Sequence, residues 1–228
     1  MCKVCERLRA TQARIAAAAR QAGRDPASVT LLAVSKTQPV ERIRVAAECG
    51  QRLFGENFLQ EAAEKIAATE ELGLEWHFIG PLQSNKTRGI AEGFGWVHSV
   101  DRRKIAERLS AQRPGSLGPL NICLQVNLSG ETSKSGVTPQ ALPELAAAVG
   151  ELPRIRLRGL MAIPAPTQDP AQQRRDAADL RVAQESLAGD GFELDTLSIG
   201  MSNDMEAAIA EGSTLVRIGT AVFGPRQR

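Results

Sequence analysis

The sequence has no long apolar run, no excess of one charge and few cysteines, and each shortage excludes a class of protein. No segment approaches the roughly 20 apolar residues of a membrane-spanning helix. The segment from Cys2 to Arg20 is charged throughout, unlike a secretory signal. The 28 basic and 26 acidic residues are scattered, which argues against a nucleic-acid-binding stripe or a polybasic membrane patch. We therefore expect a cytoplasmic protein that binds neither nucleic acid nor membrane.

The four cysteines do not form the pattern of a metal site. Cys2 and Cys5 have a C-x-x-C spacing, but no second pair follows, and a structural zinc site needs about four ligands. We therefore expect no metal and reduced thiols. In this interpretation Cys49 and Cys123 are small core residues, and Cys2 and Cys5 lie at the end of a helix.

Strand-like and helix-like segments alternate along nearly the whole chain. An amphipathic helix rich in alanine and arginine extends to about Ala22 and is followed by eight short apolar segments that are predicted to be strands. These segments are Val29–Ser35, Arg52–Phe54, Trp76–Ile79, Trp96–Ser99, Leu120–Val126, Leu157–Ile163, Leu194–Ile199 and Thr214–Ile218. The helical stretches between them include Val40–Cys49, Leu59–Glu70, Arg102–Gln112, Pro139–Val149, Pro170–Ala188 and Asp204–Glu211.

Eight successive βα units predict an α/β fold, a single (β/α)8 barrel of the TIM type. Barrels of this length fold as one domain, so residues 1–228 are expected to form one domain, with residues 1–22 as an extra helix packed on the barrel. The alternative is a doubly wound open sheet. Its usual Gly-rich fingerprint after the first strand is missing, because Lys36-Thr37-Gln38-Pro39 follows that strand instead.

Two segments at opposite ends of the chain predict a site for an aldehyde that carries a phosphate. Lys36 follows the apolar run 31–34, and a lysine at a strand end either reaches solvent or forms a Schiff base with an aldehyde. Ser202, Gly219 and Thr220 offer hydroxyl and N–H donors to a phosphate, although Ser202 could equally cap the helix that follows it. Strand eight of a barrel closes beside strand one, so these segments meet at the C-terminal ends of the strands. Pyridoxal 5'-phosphate (PLP) has both an aldehyde and a phosphate and is therefore the predicted ligand.

Further residues are candidates for the same site, each with a structural alternative. Arg217 forms a salt bridge, pairs with the phosphate or contacts the pyridine nitrogen. Asn57, after strand two, reaches the ring or caps the following helix. His77 and His98 lie in the barrel interior, either near the cofactor or as buried histidines without a catalytic role. Lys134, in the polar loop after strand five, is either a second PLP contact or a solvated lysine.

Seven segments together resemble the pyridoxal phosphate homeostasis protein family, whose members are PLP-binding barrels related to the N-terminal domain of alanine racemase. The segments read LLAVSKTQP, FGENFLQE, WHFIGPLQSNK, VHSVD, NLSGETSKSGV, RGLMAIP and LSIGMSNDMEAAIAEGSTLVRIGTAVFG. The resemblance implies a fold-type III barrel that holds PLP as an internal aldimine on Lys36. It also implies that the segments carrying Ser202 and Gly219-Thr220 hold the phosphate, with Arg217 nearby. The implied role is to supply, buffer or deliver PLP, without established catalytic turnover.

Two functions remain open on the sequence: a PLP carrier, and a low-turnover PLP enzyme acting on amino acids, such as a racemase. The related racemases pair their lysine with a tyrosine on the other face of the cofactor, and this sequence has no tyrosine. It also leaves few residues after Thr220 for the second domain of those enzymes. Both features favour the carrier. A barrel that binds no cofactor is a third possible function. We expect a monomer that gives PLP to apo-enzymes, either by transient contact or through free PLP.

Overall fold

Eight parallel strands form a closed barrel in the computed structural model, which describes residues 2–130 and 135–225. The strands are β1 (Thr30–Val34), β2 (Leu53–Glu56), β3 (Glu75–Phe78), β4 (Trp96–Val100), β5 (Leu120–Gln125), β6 (Ile155–Met161), β7 (Thr196–Ser198) and β8 (Leu215–Ile218). Each strand pairs with the next along the chain, and β8 pairs with β1. This order confirms the predicted (β/α)8 barrel.

Helices fill the connections between the strands. They are α1 (Lys3–Gln21), α2 (Val40–Glu48), α3 (Leu59–Ala68), α4 (Thr87–Gly93), α5 (Arg103–Gln112), α6 (Leu142–Gly150), α7 (Pro170–Gly189), α8 (Met205–Ala210) and α9 (Thr220–Phe223). The sequence did not predict α4, which contains two glycines, or α9, which has only one turn. Within the two described ranges, no helix is both long enough and apolar enough to cross a membrane.

The extra N-terminal helix α1 packs against α8 and α9. Its residues Leu8 and Ile15 belong to the large apolar core that lies between the strands and the helices. Polar contacts also join α1 to α8 and α9. Arg7 donates to the main-chain oxygen of Phe223, and Arg14 pairs with Glu206 at 2.7 Å. The helix therefore covers the side of the barrel on which the chain completes its last strand.

A disulfide bond joins α1 to the end of α2. The Cα atoms of Cys5 and Cys49 lie 5.8 Å apart and their sulfurs are bonded, whereas Cys2 is exposed and Cys123 is buried as a free thiol. The expectation of reduced thiols at Cys5 and Cys49 was therefore wrong. The C-x-x-C spacing gave no sign of this pair, because the partner of Cys5 lies 44 residues away and approaches only when α1 packs on the barrel.

The interior of the barrel holds one apolar and one polar group of side chains. Leu32, Val34, Ile79 and Leu215 form a small apolar cluster, separate from the large core outside the strands. The polar group consists of His77, His98, Ser198 and Arg217, all of which are buried. Since side chains alternate along a strand, Leu32 and Val34 point inward while Leu31 and Ala33 pack outward against the helices. The polar half of the interior lies directly below the site described next.

Candidate functional site

A cavity of about 430 Å³ opens at the C-terminal ends of the strands. Six of the seven residues predicted for a cofactor site line it: Lys36, Asn57, Ser202, Arg217, Gly219 and Thr220. The barrel thus brings a lysine from the first βα connection to the same cavity as hydroxyls and a glycine from the last two connections. A cavity in this position is where TIM-type barrels place their ligands.

The closure of β8 on β1 is what brings the two ends of the chain together. Ala33 pairs with Ile218 in the parallel register, so the residues after both strands leave the barrel side by side. A Cβ atom at Gly219 would lie 3.3 Å from the main-chain oxygen of Val34, which is tighter than an ordinary contact. Glycine therefore lets the turn before Thr220 lie against the end of β1, next to Lys36.

The buried ammonium group of Lys65 stabilises the turn that carries Lys36. Lys65 of α3 donates to the main-chain oxygen of Ser35 at 2.7 Å, and it also pairs with Glu61. Glu61 in turn accepts a hydrogen bond from the main-chain N–H of Thr37. Thr37 has a φ of 62°, a left-handed conformation that is unfavourable for a β-branched residue. Such strain persists where the surrounding contacts fix the backbone, and here they fix the residues on either side of Lys36.

The ammonium of Lys65 also compensates a fully buried carboxylate. Glu56, the last residue of β2, accepts from Lys65 at 2.7 Å and from the hydroxyl of Ser35 at 2.7 Å, both at the same oxygen. No described residue donates to its second oxygen. Burial accordingly raises the pKa of Glu56, although the hydrogen bonds from Lys65 and Ser35 oppose that shift.

Asn57 contributes a polar atom that has no partner among the described residues. Its side-chain oxygen is buried and accepts no hydrogen bond. The capping alternative is not what the structure shows, because Phe58 is the N-cap of α3 and no side chain caps that helix. A buried acceptor without a donor is costly, so this oxygen suits a ligand that donates to it.

Ser202 likewise does not cap the helix that follows it. Asp204 is the N-cap of α8, and its carboxylate accepts from the main-chain N–H of Met201 at 2.7 Å. Ser202 therefore lines the cavity without being the N-cap of that helix. Asp204 lines the same cavity, and burial raises the pKa of its carboxyl group.

Arg217 is fully buried in the floor of the cavity. Its guanidinium donates to the hydroxyl of Ser198 at 2.8 Å and to the main-chain oxygen of Ala162 at 2.8 Å. No ion pair joins it to a carboxylate in the described part of the chain, so the salt-bridge alternative is not supported. Burial lowers the pKa of Arg217 to about 10, and the group stays charged at neutral pH.

His77 does not lie with the other six residues. It lines a second cavity of about 300 Å³ at the opposite end of the barrel, together with Glu75, Trp96 and Arg158. The geometry therefore gives no support to the expected contact of His77 with the cofactor. The residue that reaches the upper cavity is Ile79, which follows the last residue of β3 and lies two positions after His77, so His77 points into the interior one layer lower. Lys134, the other loop candidate, lies outside the described residues.

The cavity also has a wall that the sequence did not predict. The connection after β6, residues 163–168, lines it together with Asp176 of α7. Ile163 on this wall and Met201 in the connection after β7 are large apolar side chains that line the cavity and are 46% and 37% exposed. Its position after a predicted strand was the one sequence signal for this wall, because connections at the C-terminal ends of barrel strands form the ligand face.

Comparison with known proteins places this geometry in a family. The sequence profile of the alanine racemase N-terminal domain matches residues 7–227. The pyridoxal phosphate homeostasis protein of Pseudomonas aeruginosa is 61% identical over 226 residues, which are 99% of this chain and 97% of that protein. A structure of PipY from Synechococcus elongatus with PLP bound has a TM-score of 0.86 and 37% identity, and the match covers 97% of this chain and all of that one.

A more distant structure has the same barrel fold. Alanine racemase from Corynebacterium glutamicum is 19% identical with a TM-score of 0.70, and the match covers 95% of this chain and 60% of the racemase. At that identity the likeness concerns the fold alone. The profile match and the close relatives concern nearly the whole chain, so this protein belongs to the pyridoxal phosphate homeostasis protein family, within the wider family of alanine racemase N-terminal domains.

Proposed function

We propose that this protein binds PLP covalently at Lys36 and serves to hold and deliver PLP in the cell. The observation that carries the proposal is that Lys36 shares one cavity with the donors from the last two βα connections. When PLP is bound, its aldehyde condenses with the lysine amine, so that a C=N bond replaces the C=O bond and one water leaves. PLP supplies the reactive aldehyde, and the chain supplies the amine and the binding groups.

The residues of the cavity fit PLP in chemical type. The hydroxyls of Ser202 and Thr220 suit phosphate oxygens, and Gly219 allows the main chain to approach them closely. Arg217 adds a fixed positive charge for a bound anion. The unpartnered oxygen of Asn57 remains for a donor on the ligand. These assignments rest on the shared cavity and on hydrogen-bond capacity.

We propose a carrier rather than an enzyme. The absence of tyrosine from the sequence supports this choice, because the second acid–base group of a two-base racemase is then missing. The names of the close relatives also support it, since the Pseudomonas aeruginosa and Escherichia coli proteins are called homeostasis proteins. Release to a recipient then requires only that water or another amine displaces the lysine from the aldehyde carbon.

We propose further that the chain acts as a single domain and as a monomer that contacts PLP-dependent apo-enzymes transiently. A single domain is supported by the continuity of the large core, which contains Leu8 of α1 and Phe223 of α9 as well as residues of the strands between them. We expect light scattering at micromolar concentration to give the mass of one chain, 24.4 kDa. A stable dimer under those conditions contradicts the monomer.

The first test is the visible absorption spectrum of the purified protein incubated with PLP. We expect an absorption band of a Schiff base that borohydride removes, followed by recovery of the reduced adduct on the peptide that contains Lys36. Absence of the band with excess PLP, or an adduct on a different lysine, contradicts the proposed function.

A further inference from the structure

A chain of hydrogen bonds crosses the barrel interior and joins the two cavities. His77 lies 3.0 Å from the carboxylate of Glu75 through Nε2 and 2.9 Å from Nε2 of His98 through Nδ1. Nδ1 of His98 lies 2.9 Å from the hydroxyl of Ser198, which lies 2.8 Å from Arg217. Glu75 borders the lower cavity, and Arg217 lies in the floor of the upper one. We call these five residues the interior relay.

The relay connects strands that are not neighbours in the sheet. Its members come from β3, β4, β7 and β8, and the contact between His98 and Ser198 spans the barrel from β4 to β7. All members except Glu75 are buried, whereas the side chain of Glu75 is 49% exposed. The relay therefore runs from the lower surface to the cofactor cavity without a break.

Hydrogen-bond chemistry allows one direction along this chain. The ionised carboxylate of Glu75 only accepts, so Nε2 of His77 carries a proton and donates to it. A neutral imidazole has one proton, so Nδ1 of His77 accepts from Nε2 of His98, which leaves Nδ1 of His98 as an acceptor. The hydroxyl of Ser198 therefore donates to Nδ1 of His98 and accepts from the guanidinium of Arg217. With neutral rings, the reverse direction would require a carboxylate that donates.

The surroundings of both histidines agree with neutral rings. Burial lowers the pKa of His77, and it lowers the pKa of His98 well below the ordinary value, with the charge of Arg217 acting in the same direction. The hydrogen bond from His77 lowers the pKa of Glu75, as expected for a carboxylate acceptor. A positive end at Arg217 and a negative end at Glu75 thus enclose two neutral rings.

We infer that the interior relay is a positioning device, in which Glu75 fixes the tautomers of His77 and His98 and thereby the place of Arg217 in the cofactor cavity. The inference rests on the proposed function in one respect, namely that Arg217 faces bound PLP. Glu75 and both histidines are positioning residues, because none of them lines the upper cavity. A change at the lower end of the barrel then alters cofactor binding at the upper end.

The tautomers are tested directly by long-range proton–nitrogen NMR of the imidazole rings in the protein without PLP. The chain has only two histidines, so each ring gives a separate set of signals. We expect both rings to be neutral at pH 7 with the proton on Nε2. A proton on Nδ1 of either ring, or a doubly protonated ring, overturns the assignment.

The positioning role is tested by a pair of variants at Glu75. In Glu75→Gln the amide oxygen still accepts from His77, so the nitrogen shifts of His98 and the PLP dissociation constant should stay near those of wild type. Glu75→Leu removes the acceptor, and we expect the His98 shifts to move and PLP binding to weaken about threefold to tenfold, the value of one hydrogen bond. Glu193→Leu, which removes an exposed carboxylate three residues before β7, is the matched control.

The outcomes separate this inference from the proposed function. Unchanged His98 shifts and unchanged PLP affinity in Glu75→Leu overturn the relay, as does equal weakening by Glu193→Leu. If PLP attaches to Lys36 while the tautomers differ from those assigned, the relay fails and the proposed function stands. If the wild type does not bind PLP, the proposed function and the link to Arg217 fail together, and the tautomers are still decided by NMR.

Discussion

Replacement of Lys36 with alanine is expected to abolish the covalent attachment of PLP. Among the six cavity residues, only the lysine amine can condense with the aldehyde to a stable C=N bond with loss of water, since the remaining groups are an amide, hydroxyls, a guanidinium and a glycine. The variant should show no Schiff-base absorption and no adduct after borohydride. We expect the dissociation constant for PLP to rise about 100-fold or more, which corresponds to roughly 3 kcal/mol of binding free energy.

Lys86→Ala is the control for this variant, because Lys86 is an exposed lysine in the connection after β3, on the same end of the barrel. It should retain the absorption band and the affinity of wild type. A borohydride-stable adduct on Lys36→Ala would contradict the proposed anchor. Comparison of wild type with Lys36→Ala also distinguishes a carrier from an enzyme. Sustained deuterium exchange at the α-carbon of an amino acid, present in wild type and lost in Lys36→Ala, would contradict a pure carrier.

Of the substitutions proposed, Lys65→Met is expected to cause the largest decrease in the free energy of unfolding. The change leaves Glu56 buried without its ammonium, and removal of one partner of a buried pair costs about 3–5 kcal/mol. Chemical denaturation at pH 7 should show this decrease in the free energy of unfolding. Arg103→Met is the matched control, because Arg103 and Glu107 form an exposed pair with the same four-residue spacing as Glu61 and Lys65. Its expected loss is below about 1 kcal/mol.

The sign of the pH dependence follows from the raised pKa of Glu56. The folded protein holds this proton more tightly than the unfolded chain does, so the contribution of Glu56 to stability is present at low pH and is lost as the pH rises through the folded pKa. Lys65→Met removes the two interactions with Lys65 that lower this pKa and therefore raises it further. The deficit of the variant should be smaller near pH 5 than near pH 8.

A second substitution distinguishes this explanation from simple loss of packing. Glu56→Gln removes the charge but keeps an acceptor for the hydroxyl of Ser35, so the double variant Lys65→Met/Glu56→Gln should recover about half of the lost stability. It should also lose the pH dependence between pH 5 and pH 8. A double variant that is less stable than Lys65→Met would contradict the buried-charge explanation.

The barrel and most of its site could be predicted from the sequence because the signals are local. Short apolar segments alternate with helical ones, and a lysine or a glycine at a strand end has a known place in a barrel. The order of the strands then brings Lys36 to Gly219 and Thr220 without any knowledge of side-chain contacts. The structure supports this part of the prediction by placing those residues in one cavity.

The remaining features depend on which layer of the interior a side chain occupies and on which helix packs where. Ile79 lies two positions after His77, just beyond the end of β3, and only their depth in the barrel decides which one reaches the upper cavity. The bond between Cys5 and Cys49 depends on the packing of α1, which no local pattern encodes. The wall formed by residues 163–168 depends on the path of a connection without regular structure.

The pairing of the last strand with the first has a consequence for protein synthesis. The ribosome makes Lys36 long before Gly219 and Thr220, which complete its cavity. A nascent chain therefore carries an amine without the proposed phosphate-binding groups until β8 and the connection after it have been made. A chain interrupted before β8 keeps its lysine but lacks the cavity, so tight retention of PLP is expected only of chains that contain β8 and that connection.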